Sequence, residues 1–287
     1  MIVVTEGTGT LGRAIVEQLL KRIPATSLGV SARDPEQAQA FIAAGVRVRK
    51  ADYDDPEAMR RAFEGATQVL LISSNAAAFG KDPIAQHQNA IAAAMAAGVK
   101  RIVYTSQISA SPTSAFGPGL DHAKTEALLR DAGVAFTSLR NGFYASHALG
   151  VIAKALERGE LVAPEDGPFS WVAHADLAEA AAAVLLDEGR FEGPTPPLTG
   201  SEEIDFAGLA ALATELGGRT IPRVVVSDDE YVTRMVAAGM PAGAAKFALG
   251  MFAAARRGEF AAVDPTLERL VGHPAVTLRA QLEASRR

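Results

Sequence analysis

The chain has 287 residues, 48% hydrophobic and 21% charged, a balance that suits one large α/β domain with a smaller appendage. A net charge of −5 with no basic stripe gives no reason to expect nucleic acid, and zero cysteines exclude disulfides, thiolate catalysis and thiolate-held metals. No long uncharged apolar run suggests a membrane span, and no leader-like segment precedes the strand that begins at residue 1, so the expected location is the cytoplasm.

The apolar run Met1–Val4 predicts a strand that meets the turn Gly7-Thr8-Gly9-Thr10-Leu11-Gly12. Leu11, Ala14, Ile15, Gln18 and Leu19 then share one helical face, and Pro24 ends the pattern. Strand, glycine turn and helix form the first half of a dinucleotide-binding βαβ unit, whose helix N-terminus offers backbone N–H groups to a pyrophosphate. Gly7, Gly9 and Gly12 satisfy G-x-G-x-x-G, and Glu6 puts a carboxylate where an anionic ligand is expected. Residues 27–32 read as a second strand ending at Arg33-Asp34-Pro35, residues 36–44 as an alanine-rich helix, and residues 46–51 as a third strand. A turn at 52–56 precedes a helix over 57–63, and Val69–Ile72 is a continuous apolar strand of the kind buried on both faces. A helix over about 83–97, a strand over 101–105, a Ser/Pro/Gly loop over 107–119, a helix over about 120–131 and a strand over 135–139 complete the series.

Six strands alternating with helices predict a Rossmann-type, doubly wound parallel sheet, with ligands at the carboxyl ends of the strands. That rim holds Gly7–Gly12, Arg33, Asp52, Ser73, Ser106 and Arg140. From Asn141 the alternation fails. Residues 1–140 therefore read as the dinucleotide-binding domain, with a helix in 172–188 packing back on it. Residues 141–287 read mainly as a smaller α+β substrate-binding region.

Arg33 ends the second strand, where NAD enzymes carry an acid for the ribose 2′-hydroxyl; an arginine there suits a 2′-phosphate and favours NADP. Asp52 could accept a hydrogen bond from adenine or could serve the following turn, where Asp54 and Asp55 already offer caps. None of the four tyrosines has a lysine four residues on, so the usual acid–base pair of short-chain dehydrogenases is absent. Against the Y-x-x-x-K-x-x-x-E pattern of extended members, His122 takes the lysine position four residues before Glu126, and Pro118 the tyrosine position. His174 and Asp176 read as a helix entry, Met235–Phe252 as core or dimer surface, and the five histidines show no metal-ligand spacing.

Together these motifs resemble the NmrA-like branch of atypical short-chain dehydrogenase/reductases, within it the group of NADPH-dependent quinone oxidoreductase type 2 and triphenylmethane reductase. The matching pieces include Thr8-Gly9-x-Leu11-Gly12, Ser31-Ala32-Arg33-Asp34-Pro35, Leu71-Ile72-Ser73-Ser74, Tyr104-Thr105-Ser106, Leu139-Arg140-Asn141-Gly142-Phe143-Tyr144 and Leu270-Val271-Gly272-His273-Pro274. The resemblance implies that Gly9, Leu11, Gly12 and Arg33 bind NADP, with Ser73 and Ser74 beside the adenosine and ribose. It also implies that Ser106, His122, Asn141 and Tyr144 line the nicotinamide and acceptor pocket. The family turn reads G-x-x-G-x-x-G, so its first glycine falls at Glu6.

The resulting expectation is an NADPH-dependent reductase that passes hydride to a quinone or similar conjugated acceptor, with His122, Asn141 and Tyr144 at the reacting centre. Its partner would be a small molecule, and a homodimer is possible. The alternatives are a non-catalytic NADP(H) sensor, or a member whose cofactor binding Glu6 has weakened or abolished.

Overall fold

The computed structural model describes residues 1–284. In chain order the elements are β1 (Ile2–Val4), α1 (Thr10–Leu20), β2 (Leu28–Ala32), α2 (Gln39–Ala43), β3 (Arg47–Lys50), α3 (Pro56–Phe63), β4 (Gln68–Leu71) and α4 (Pro83–Ala96). There follow β5 (Arg101–Gln107), α5 (Gly117–Asp131), β6 (Ala135–Asn141), β7 (Phe143–Tyr144), α6 (Ala145–Arg158), β8 (Leu161–Pro164), β9 (Trp171–Val172) and α7 (His174–Leu186). Last come β10 (Gly193–Pro194), α8 (Phe206–Gly217), β11 (Arg223–Val226), α9 (Asp228–Ala237), α10 (Ala242–Arg256), α11 (Thr266–Val271) and α12 (Leu278–Ala284).

The first of two compact units comprises Met1–Ser106, Asp121–Arg140 and His174–Pro196. Its sheet runs β10-β6-β5-β4-β1-β2-β3. β1 pairs in parallel with β2 on one side and β4 on the other, so the strand order reverses beside β1. Ligands of such sheets bind at that switch point. The six strands expected from the sequence are present, which makes the fold a Rossmann-type α/β sheet. All four residues of β4 are buried, as its unbroken apolar character requires. Val3, Val69, Leu71, Ile102 and Tyr104 form a core with Met59 and Phe63 of α3 and Ala90, Ile91 and Ala94 of α4.

Side-chain caps fix where α3 and α4 begin. Asp55 accepts from the N–H of Ala58 at 2.9 Å and Asp82 from that of Ile84 at 2.8 Å, each followed by a proline in the first turn. α1 starts at Gly9 with no side-chain cap and no acid in its first turn. α7 packs on α1, and Arg22 meets Glu179 at 2.9 Å.

Three local readings change. Residues 36–44 split into a 3-10 turn, Pro35–Ala38, and the short α2, because Asp34 accepts the Glu36 N–H at 3.1 Å and tightens the start. α5 begins at Gly117 rather than near 120, with Pro118 in the first turn, where a missing N–H costs nothing. β10 adds a seventh strand, too short to leave a pattern, by pairing Gly193 and Pro194 with Thr137 and Ser138.

The second unit comprises Gln107–Leu120, Asn141–Ala173 and Pro197–Arg287. The loop before α5 thus belongs with it rather than with the residues that flank it in sequence. Its two small sheets pair β7 with β9 and β8 with β11, both in parallel. Its core is aromatic: Phe169 stacks on Trp171 at 4.6 Å and on Phe260 at 5.0 Å, while Trp171 donates to the carbonyl of Ile204 at 2.9 Å.

Candidate functional site

On the first unit, the turn between β1 and α1 is tied down from both sides. The N–H of Gly7 reaches the Ser31 carbonyl at 3.3 Å, and that of Gly9 reaches the Glu6 carbonyl at 2.9 Å. A Cβ on Gly12 would collide with the Glu6 carbonyl, and one on Gly7 would stand 2.6 Å from Val30. Both positions, the first and third glycines of the turn, require glycine for close packing. Glu6 has φ +48°, the left-handed region that the expected glycine would occupy without strain. Its carboxylate lies 3.6 Å from the Arg33 guanidinium. Burial pushes the Glu6 carboxyl upward, Arg33 pulls it back and Asp52 adds to the rise.

Asp52 accepts the Asp54 N–H at 2.9 Å, whereas the cap of α3 is Asp55; Asp52 therefore shapes the turn and faces Glu6. Tyr53 follows it into the core. Its hydroxyl meets Thr5 at 2.6 Å and donates to the Ile72 carbonyl at 2.6 Å, joining the carboxyl ends of β1 and β4. Burial holds the Tyr53 phenol well above its ordinary range.

Ser73 and Ser74 follow β4. The Ser73 N–H donates to Thr105 and the Ser74 N–H to His87 Nε2, both at 2.8 Å. With Nε2 accepting, the His87 proton sits on Nδ1, 2.8 Å from the Thr125 hydroxyl, and Thr125 donates onward to the Asp121 carbonyl. Burial lowers the His87 pKa to about 4 and keeps the ring neutral. His122 Nδ1 lies 2.7 Å from the hydroxyl of the fully buried Tyr104; burial, then the neighbouring His87, lowers its pKa to about 3. At neutral pH His122 is an uncharged hydrogen-bonding group, not an imidazolium acid. Ser106 donates to Glu126 at 2.7 Å, and Arg140 grips the same buried carboxylate with two N–H groups, at 3.1 and 2.7 Å. The Ser106 hydroxyl proton is thereby committed to Glu126.

On the second unit, Asn141 is buried and its side chain bonds the Tyr144 hydroxyl, while its Oδ1 has no partner among the described residues. Burial raises the Tyr144 phenol and lowers the His147 imidazole, so both are neutral. A cavity of about 480 Å³ opens nearby in the chain, walled by Phe143, His147, Tyr231, Met235, Met251 and Phe252 among others. Part of the Met235–Phe252 segment thus lines a cavity. His174 opens α7 and Asp176 is buried within it, as a helix entry requires.

A family model described as NAD(P)H-binding matches residues 7–188. The chain belongs to the NAD(P)H-binding family. It is 37% identical to quinone oxidoreductase 2 of Escherichia coli, over 97% of this chain and 96% of that protein. The structure of the E. coli NADPH-dependent quinone oxidoreductase complexed with NADPH superposes with a TM-score of 0.93 at 35% identity, covering 100% of both chains. The Citrobacter triphenylmethane reductase complexed with NADP(H) gives 0.88 at 31% identity, covering 99% of this chain and 100% of that one. The resemblance read from the motifs is borne out, and the chain stands among NAD(P)H-dependent oxidoreductases.

The residues fit a dinucleotide. The glycine turn packs closely on Val30 and the Glu6 carbonyl with no side chain at Gly7, Gly9 or Gly12, α1 begins uncapped, and Arg33 supplies a cation at the end of β2. His87, Tyr53 and Glu126 order the rim without having been singled out for it in the sequence. His87 lies mid-helix, and only its partners 13 and 38 residues away disclose its work.

Proposed function

We propose that the chain is an NADPH-dependent reductase of a quinone or similar conjugated acceptor. The observation that carries this reading is the glycine turn at the uncapped start of α1 with Arg33 at the end of β2, in a chain 37% identical to a quinone oxidoreductase over nearly its whole length. The free backbone N–H groups of Thr10, Leu11 and Gly12 in the first turn of α1 would face the pyrophosphate, and Arg33 the 2′-phosphate. Bound NADPH supplies the hydride. Ser73 and Ser74, fixed through their backbone by Thr105 and His87, would bound the adenosine side.

Two features of the chain support this acceptor class. His122 and His147 are neutral and Tyr53 and Tyr144 hold their protons, so none is tuned to give one up near pH 7. A conjugated acceptor needs positioning more than a tuned acid, because its proton can come from water. Aromatic and methionine walls around the second unit's cavity suit a flat conjugated ring. Loss of reduced-nicotinamide absorbance on adding small quinones is the expected result. Bound NADPH that no quinone in a broad panel oxidises would overturn it.

A further inference from the structure

Arg33 is not a free cation in this molecule. Its guanidinium faces the Glu6 carboxylate at 3.6 Å, and Glu6 is the one non-glycine residue with positive φ among the described residues. The backbone strain and the placement of the side chain have the same origin: a left-handed turn at residue 6 sends its side chain toward the end of β2. There Arg33 stands where a 2′-phosphate would be recognised, and an acid is the group that recognises a ribose 2′-hydroxyl.

We propose that Glu6 narrows the chain's preference between NADPH and NADH. A 2′-phosphate must displace the carboxylate from Arg33 and then lie beside it, two anions competing for one guanidinium. A 2′-hydroxyl can instead donate to Glu6 and leave the Glu6–Arg33 pair in place. The two residues therefore pull in opposite directions, Arg33 toward the phosphorylated nucleotide and Glu6 toward the other. Asp52, which already opposes ionisation of Glu6, adds a second negative charge on the same side. Arg33 is 61% exposed and Glu6 27%, so solvent moderates the repulsion without erasing it. This inference rests on the reading of the chain as an NAD(P)H-binding reductase.

The test is equilibrium titration of NADPH and of NADH, by calorimetry, into the wild type, Glu6→Gln, Glu6→Gly and Arg33→Ala. Glu6→Gln keeps the side-chain size, and Glu6→Gly supplies the residue that the turn accepts most readily. Both are expected to raise the ratio of Kd for NADH to Kd for NADPH on the order of tenfold, chiefly through tighter NADPH. Arg33→Ala is expected to lower that ratio. A ratio within twofold of wild type in both Glu6 variants overturns the proposal and leaves the reductase reading standing. Failure of every variant to bind either nucleotide overturns both.

Discussion

Glu6 concentrates the cost of this turn in one residue. A left-handed φ on a side chain larger than glycine costs on the order of 1 kcal/mol, and the ion pair to a largely exposed arginine returns less than that. Glu6→Gly is therefore expected to stabilise the nucleotide-free chain by a net amount below about 1 kcal/mol, read as a slightly higher urea midpoint. Glu126 has the opposite character. It is buried, and Ser106 and Arg140 account for its charge. Arg140→Ala would strand a buried carboxylate and is expected to destabilise by about 3 kcal/mol in the same assay. His87 gives the stability a pH dependence. The unfolded ring takes up a proton below about pH 6.5, while the folded one resists to about 4. Its folded pKa is depressed, so the unfolded chain binds more protons and stability is lost as the pH falls from 6.5 toward 4. By pH 5 the loss is about 2 kcal/mol, with His122 adding in the same direction. Urea unfolding at pH 7 and pH 5 should show that drop, and His87→Asn should reduce it.

Among elements, α1 would carry the proposed phosphate site, since its uncapped N-terminus follows the glycine turn after β1. α3 and α4 spend their first N–H groups on Asp55 and Asp82, whereas α1 has Gly9 and no side-chain cap. Gly12 lets the first turn of α1 lie directly against the Glu6 carbonyl. Gly12→Ala must push that turn outward, at a cost of roughly 1–3 kcal/mol for overpacking. The expected outcome is a folded chain whose NADPH affinity falls at least about tenfold, measured by titration. Retained affinity would count against these N–H groups as the proposed phosphate site.

For the whole molecule, each unit has its own core, one built on a parallel sheet and one on stacked aromatic rings. The chain passes between the units repeatedly, so neither is a single stretch of sequence. NADPH at a hundredfold excess over its Kd should stabilise the folded chain by roughly 2.7 kcal/mol, visible as a raised thermal midpoint. Among the described residues no helix is long and apolar enough to cross a membrane.

Sequence alone determined the order of β1–β6 and the helices between them, the glycine turn and the position of Arg33. Those features are local: period-two and period-3.6 patterns, caps and turn residues act over a few positions. The family motifs reached further, naming the residues around the rim before any contact was known. Only the tertiary structure decided what those residues do to one another. Glu6 meets Arg33 across 27 positions of chain, Ser74 leans on His87, and Arg140 shares Glu126 with Ser106. It also decided that Gln107–Leu120 joins the second unit and that Gly193–Pro194 extends the sheet. The physical reason is common to all of these: hydrogen bonds and ion pairs depend on distance in space, and nothing in a local pattern records which distant residue arrives.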